Sequence, residues 1–296
     1  MSEVISGYEG LIANTPMRRL RVMAPRSDVA VYGKLEGTNL GGSVKDRAAL
    51  GMINAAERDG VLKDGRRLVE ATSGNTGIAL AMIAALKKIP ITLLLPESAT
   101  AERRTIMSAY GAEVILVKDG IVAARDMAQE MHDAKTHYQL NQFANPNNPL
   151  MHFHTTGPEI WKATNQQVTH FVSSMGTTGT IMGTSKYLKS QSKDVQIVGV
   201  QPEEGSRIPG IRRWPEAYLP KIYEPERVDQ IIDVSEASAR THTRRLAEEE
   251  GLFVGLSSGG ACCAALQVAQ TAPAHSVIVF IVCDRGDKYL SMNNLF

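Results

Sequence analysis

The most constraining stretch is residues 91–95, ITLLL, which carries apolar side chains on nearly every position instead of alternating them. A strand of that kind must be covered on both faces, and such strands belong to parallel sheets flanked by helices. The neighbouring segments agree. Residues 67–71 read as a short strand stopped by the polar turn 72–77, and 78–86 as a nearly all-apolar helix of the buried kind. A helix over 99–110 closed by Gly111, a strand over 113–117 and a helix over 121–134 continue the pattern. Upstream, 28–35 alternates apolar with polar and reads as a strand leading to a helix from Val44 to about Arg58. This βα order predicts an α/β chain with mainly parallel, doubly wound sheets.

An asparagine- and proline-rich stretch, 141–149, reads as a loop between two such units. A length of 296 residues is where single cores tend to split. The expected division is therefore 1–148 and 149–296, with roughly the first 35 residues packing on the second unit. The second unit repeats the grammar. Helix 155–164 and strand 168–173 lead to the turn 176–180, which opens a helix through 189, and strand 195–200 follows. An irregular stretch over 205–225 holds four prolines and the pair Arg212–Arg213, and is long enough to be functional. Strand 229–234, helix 237–250, a glycine-serine turn at 255–260 opening helix 261–270, and strand 277–283 complete it.

With 32 basic and 31 acidic side chains, the chain offers no electrostatic footprint for nucleic acid. The longest apolar run, 78–86, stops at Lys87–Lys88, too short to span a bilayer, and the N-terminus lacks a leader pattern, so the expectation is a soluble cytoplasmic protein without a membrane partner. Three cysteines form no disulfide framework and nothing has zinc spacing, so no metal is expected. Cys262, Cys263 and Cys283 read as core thiols, and His152 and His154 as packing or hydrogen-bonding residues.

Four stretches carry candidate chemistry. In Gly41-Gly42-Ser43-Val44-Lys45-Asp46-Arg47 a glycine pair launches a helix whose first turn holds a lysine. Ser43 can accept an orphan N–H there. An ammonium at the positive end of a helix dipole is misplaced unless Asp46 offsets it or the amine is tied up covalently. The turn 72–77 gathers hydroxyls, an amide and a helix N-terminus suited to a carboxylate. The turn 176–180 lets backbone approach a phosphate, is not a Walker loop, and the chain has no G-x-G-x-x-G. The fourth is the serine turn at 255–260. Each turn alone reads equally as an ordinary cap or connection. Together they describe pyridoxal phosphate with an amino-acid substrate.

On GSVKDR at 42–47, TSGNTG at 72–77, GTTGT at 176–180 and SSGG at 257–260, the chain resembles the fold-type II (tryptophan synthase β-like) pyridoxal phosphate enzymes over nearly its whole length. Among them it is most similar to the O-acetylserine sulfhydrylases, or cysteine synthases, and through 208–214 and 283–287 to their B isoform. The resemblance implies that Lys45 is the Schiff-base lysine and the catalytic base. It implies that Asn75 bonds the cofactor's ring oxygen and that Gly176, Thr177, Thr178, Gly179 and Thr180 hold its phosphate. Ser258 is expected at the pyridine nitrogen, with the adjacent Ser257 leaving the choice of hydroxyl open. Thr72, Ser73, Gly74, Thr76 and Gln142 are expected to grip the substrate carboxylate, and Arg212 or Arg213 an oxyanionic sulfur donor.

The implied activity is that of a transferase replacing the acetate of O-acetyl-L-serine by sulfide or thiosulfate through an aminoacrylate, giving L-cysteine or S-sulfocysteine. Cystathionine β-synthase and serine/threonine dehydratase are the alternatives within the fold. A serine hydroxyl at the ring nitrogen leaves a weaker electron sink than a carboxylate does, which suits β-elimination over transamination. A homodimer is expected from the resemblance, and movement of the N-terminal unit on substrate binding from the placing of the turns in two units.

Overall fold

The computed structural model describes residues 7–63, 65–72, 74–292 and 295–296. The chain begins with β1 (Met17–Arg19) and β2 (Ala30–Leu35) and then runs α1 (Lys45–Arg58), β3 (Arg67–Ala71), α2 (Asn75–Lys87), β4 (Ile91–Pro96), α3 (Ala101–Ala109), β5 (Glu113–Val117), α4 (Gly120–Asp133) and β6 (His137–Gln139). There follow α5 (Asn147–His154), α6 (Thr156–Ala163), β7 (His170–Ser174), α7 (Gly179–Gln191), β8 (Gln196–Pro202), β9 (Gln230–Val234), α8 (Glu236–Glu250), α9 (Leu256–Thr271) and β10 (Val277–Val282).

These strands form two sheets. One has the order β5-β4-β3-β6 and is parallel throughout, and every residue of β4 is buried, as its unbroken apolar run requires. The other has the order β1-β2-β10-β7-β8-β9, parallel except for the β1–β2 pair. β2 pairs with β10 from Ala30 opposite Val277 to Leu35 opposite Val282, so the chain starts in the six-stranded sheet and then crosses to the four-stranded one. The crossing segment is the glycine turn before Lys45. It is stitched to the end of β10, where Val44 N–H donates to the Cys283 carbonyl at 2.8 Å and Ser43 bridges Asp284. Among the described residues no helix is long and apolar enough to cross a membrane.

Helix α1 is fixed by charge as well as by packing. Arg47, fully buried, donates to Glu36 at 2.7 and 2.9 Å and to Glu159 at 2.7 and 2.8 Å, and Lys34 reaches Glu159 at 2.6 Å. Two cations and two carboxylates cancel. Burial pushes Glu36 up, but Arg47 and Lys34 outweigh it and hold the carboxyl below its usual range. The network joins β2, α1 and α6 two residues after Lys45, so the lysine's helix cannot rotate without leaving a buried charge unpaired.

The sequence reading differs from the structure in three places. The stretch 141–149, read wholly as a loop, contains the start of α5: Pro146 caps it and Pro149 sits in its first turn, where proline's missing N–H costs nothing. β1 and β6, three residues each, are too short to carry a periodic signal. The serine turn is not a turn before a helix but the helix itself, since α9 begins at Leu256. Glycine at 259 lets α8 pass: a Cβ there would lie 2.2 Å from Thr243 Oγ1 and 2.3 Å from the Ala239 carbonyl.

Candidate active site

Between the sheets, at the carboxyl ends of β3, β7 and β10, lies a cavity of about 600 Å³. That is where ligands bind in open α/β sheets, because strand ends and helix N-termini converge there. Lys45, the 72–77 turn, Gln142, the 176–180 turn and residues 205–214 of the proline-rich strap all contribute to its walls.

Lys45 reaches the cavity from the first residue of α1, where the Ser43 hydroxyl accepts its N–H at 3.2 Å. Asp46 does not turn to Lys45. Its carboxylate accepts the Gly41 N–H at 2.6 Å and the Ser43 hydroxyl at 3.3 Å. Burial pushes Asp46 up to about 6, with Lys288 pulling the other way. Lys288, itself buried, donates to the Gly41 and Gly42 carbonyls at 2.8 and 3.1 Å and so holds the glycine turn from the far side.

The 72–77 turn is closed by its own side chains. Thr72 Oγ1 accepts the N–H groups of Gly74 and Gly77, both at 3.2 Å. Thr76 donates to Gln142 Oε1 at 2.8 Å, and Gln142 Nε2 donates to the Ala71 carbonyl at 2.9 Å. Gln142 is held in turn by Glu70, a buried carboxyl pushed up to about 7 by burial, which accepts the Asn141 and Gln142 N–H groups at 2.7 and 3.2 Å. Ser73 lies outside the described residues.

The 176–180 turn is held differently. Thr178 adopts a left-handed backbone, φ 70°, strained for a β-branched residue, and no side chain caps α7 behind it. Neighbouring chain presses in. A Cβ at Gly176 would meet the Gly210 carbonyl at 2.9 Å, and one at Gly179 would sit 2.0 Å from Asn148 Oδ1. Asn148 donates to Thr177 at 3.2 Å, and Thr180 contacts His152 Nε2 at 3.3 Å. His152 is kept well below the usual imidazole range by burial, then by Arg47 and Lys45, so it is neutral. No group of three or more metal-ligating side chains occurs among the described residues.

At the remaining wall, the geometry separates the two serines. The Ser258 hydroxyl is fully buried and accepts the Cys283 N–H at 2.9 Å, whereas Ser257 faces the cavity beside Cys283. Burial pushes the Cys283 thiol up to about 11, against the pull of Lys45 and of a hydrogen bond with Ser257. Sequence reasoning gave Asp284 no role, yet it joins the two sheets at the site. Its Oδ2 accepts Asn75 Nδ2 and the Tyr289 hydroxyl, both at 2.6 Å. The available signal was a charged run, 284–288, straight after a wholly apolar strand.

The two strap arginines also part. Arg213 is committed outward, pairing with Asp233 at 2.6 Å and donating to the Pro202 carbonyl at 3.0 Å. Arg212 turns inward: it is largely buried, donates to the Ile211 carbonyl at 3.0 Å, and is pulled down by burial and then by Arg103. Arg103, on α3, stacks its guanidinium 4.7 Å from the centre of the Tyr289 ring.

Residues 8–284 match the family described as "Pyridoxal-phosphate dependent enzyme". The chain belongs to this family. The enzyme is 55% identical to "Cysteine synthase B" of Escherichia coli (strain K12) over 289 residues, covering 97% of this chain and 95% of that one. It is 54% identical to "Cysteine synthase B" of Pseudomonas aeruginosa over 282 residues, covering 95% and 94% of the two chains. Among solved structures it is similar to cysteine synthase from Entamoeba histolytica, with TM-score 0.93 and 33% identity over 99% of this chain and 91% of that one. It is also similar to an O-ureido-L-serine synthase, with TM-score 0.93 and 35% identity over 99% and 96% of the two chains. The fold is thus that of the fold-type II pyridoxal phosphate enzymes, and pyridoxal phosphate is the enzyme's cofactor.

The residues fit that group on their own chemistry. Thr178 Oγ1 and Asn75 Oδ1 are buried polar atoms without a hydrogen-bond partner among the described residues. Such atoms are costly unless something completes them. Thr178 stands at the uncapped N-terminus of α7, the place for a phosphate, and Asn75 stands across the cavity from it, on the four-stranded side.

Proposed function

We propose that the enzyme makes cysteine by β-replacement, exchanging the acetate of O-acetyl-L-serine for a sulfur nucleophile, sulfide or thiosulfate, with L-cysteine or S-sulfocysteine as product. One observation carries the reading: a single cavity brings together Lys45, a turn that caps its own backbone and suits a carboxylate, and an uncapped turn suited to a phosphate, in a chain 55% identical to a cysteine synthase B. Pyridoxal phosphate, when bound, supplies a conjugated ring that acidifies the α-proton of an attached amino acid.

The chain's own residues do the rest. Lys45 is the covalent anchor and, once released, the base that takes the α-proton and later returns it. Thr72, Ser73, Gly74, Thr76 and Gln142 hold the substrate carboxylate, and the hydrogen bonds of Thr72 to the turn backbone and of Thr76 to Gln142 keep the turn in one shape. Gly176, Thr177, Thr178, Gly179 and Thr180 hold the phosphate, and Asn75 the ring oxygen. We assign the pyridine nitrogen to Ser257 in preference to Ser258, because Ser257 lines the cavity while Ser258 is fully buried behind it. A hydroxyl there, which leaves a weaker electron sink than a carboxylate does, favours loss of a β-leaving group.

Of the two arginines, we assign the donor's oxygens to Arg212, since Arg213 is paired with Asp233. The two α/β units are read as 1–148 and 149–296, with β1 and β2 lending their edge to the second, and the enzyme as a cytoplasmic homodimer, on the strength of family resemblance. Assaying the purified enzyme with O-acetyl-L-serine against sulfide, thiosulfate and homocysteine tests the reading. Acetate release coupled to S-sulfocysteine or cysteine supports it, and turnover with homocysteine alone sinks it.

A further inference from the structure

One charged side chain near the cavity is used by nothing described so far. Arg125, in the second turn of α4, points its guanidinium into three rings: its Cζ is 4.4 Å from the centre of Phe143 and 5.7 Å from those of Trp214 and Tyr218. Its Nη1 is buried without a hydrogen-bond partner among the described residues. Ring faces attract a cation through their quadrupole, most strongly when water is kept away, so the charge is held by π faces, with the buried Glu70 carboxyl near enough to feel it. The planar guanidinium suits such stacking better than an ammonium does.

The rings belong to different parts of the molecule. α4 packs on the four-stranded sheet, touching β3, β4 and β6. Trp214 and Tyr218 belong to the strap 205–225, whose first half lines the cavity. Phe143 meets Trp214 edge to face at 5.4 Å, and its carbonyl accepts the Ile222 N–H at 3.4 Å, so it ties the middle and the C-terminal part of the strap. Trp214 carries the contact onward: its Nε1–H donates to the Gly176 carbonyl at 2.8 Å, at the start of the 176–180 turn in the other sheet.

We infer that Arg125 is a positioning residue for the active site. From α4 it clamps the strap through Trp214 and Tyr218, and through the Trp214 hydrogen bond to Gly176 it sets the 176–180 turn against the sheet that carries the 72–77 turn. The inference rests on the proposed function only in taking 176–180 as the phosphate site. It adds a mechanical link between the two turns that does not depend on any substrate being bound.

The test compares the loaded wild-type enzyme with Arg125→Met, which keeps length and apolar bulk, and Arg125→Lys, which keeps the charge without the plane. Two rates are read: tryptic cleavage within the strap, at Arg207, Arg212, Arg213 and Lys221, against cleavage elsewhere, and release of the cofactor on dilution into buffer lacking it. Arg125→Met is expected to raise both by about ten-fold, the scale of one lost desolvated cation–π contact, with Arg125→Lys between it and wild type. Strap cleavage equal to wild type overturns the clamp. Faster cleavage with unchanged cofactor release overturns the link through Trp214, and equal acceleration at every tryptic site reduces Arg125 to general stability and overturns both. If Arg125→Met does not fold, Tyr218→Leu removes one ring of the cage and must accelerate strap cleavage in its place. A wild-type enzyme that makes no cysteine sinks the proposed function and leaves these rates as they are.

Discussion

The two glycine turns facing each other across the cavity look alike in sequence and differ in how they are held. The 72–77 turn caps its own backbone: Thr72 accepts the N–H groups of Gly74 and Gly77, and Thr76 and Gln142 hold one another, leaving only the Asn75 Oδ1 side-chain oxygen unmet among the described residues. The 176–180 turn leaves Thr178 Oγ1 buried and without a partner among the described residues, on a strained left-handed backbone, and no side chain caps its helix. The first is a shape kept ready for a ligand that comes and goes. The second is incomplete without a ligand that stays, and an unmet buried polar group of this kind costs about 1–3 kcal/mol until something meets it. On the proposed function, the difference is one between preorganisation at the substrate end and completion by the cofactor at the other.

Lys45, which serves both ends, has the largest expected effect. Lys45→Ala should lower turnover by at least ~10³-fold, within the range for a removed acid–base group, while leaving the fold and its melting temperature nearly unchanged. Steady-state kinetics beside a thermal melt checks this, and retention of a tenth of the activity would remove Lys45 from the chemistry.

The two turns should then fail in different ways. Gly179→Ala drives a methyl group into Asn148 and should cost about 1–3 kcal/mol in overpacking, read as lost cofactor absorbance with secondary structure intact. Gln142→Ala strips the partner of Thr76 and should raise the KM for the amino-acid substrate by about ten-fold with cofactor occupancy kept, since one buried hydrogen bond is worth roughly 1 kcal/mol or more. If the two phenotypes were exchanged, the distinction between the turns would be wrong.

How much of this was legible in the sequence follows the same physics. The unbroken apolar run at 91–95 fixed a buried parallel strand because nothing else accommodates it, and the turns were visible because glycine and hydroxyl residues are needed wherever backbone N–H groups must face a ligand. What was not legible depends on tertiary direction. Ser257 and Ser258 are adjacent helical residues about 100° apart, and only the packing of α9 against β10 decides which hydroxyl meets the Cys283 N–H. Likewise the sequence shows Arg212–Arg213 as a pair, and the position of Asp233 on β9 parts them. Asp284 sits in a stretch read only for its likeness to the B isoform and Arg125 outside every motif, and their roles arise from contacts with residues distant in sequence, Asn75 for one and the rings of the strap for the other.

The strap sharpens the comparison on the donor side. Arg212→Ala should reduce thiosulfate turnover by more than sulfide turnover, by about 1.5–3 kcal/mol for a lost charged hydrogen bond. Arg213→Ala should affect both donors alike and slightly, because a half-exposed ion pair is worth little. Parallel kinetics with the two donors decides it, and equal losses for Arg212→Ala would assign that arginine to closure of the strap alone.

The smallest effect concerns pH. Asp46 has its folded-state value raised to about 6, above its unfolded value, so the fold binds a proton that the unfolded chain releases between about pH 4 and 6. Its contribution to stability is therefore full at low pH and lost as pH rises through that window. Asp46→Asn, which stays neutral, should gain on wild type by roughly 2–4 °C in melting temperature between pH 4 and pH 7, the scale of 1 kcal/mol in a chain of this size. A difference that does not change with pH would mean that Asp46 is ionised throughout, paired with Lys288.

The most direct measurement is chemical. Borohydride reduction of the loaded enzyme fixes the cofactor on whichever lysine holds it, and peptide mapping then names that lysine. The account predicts the pyridoxyl group on Lys45 alone, at the start of α1 and facing both turns. Finding it on Lys34 or Lys288, the two buried lysines among the described residues, would contradict the account.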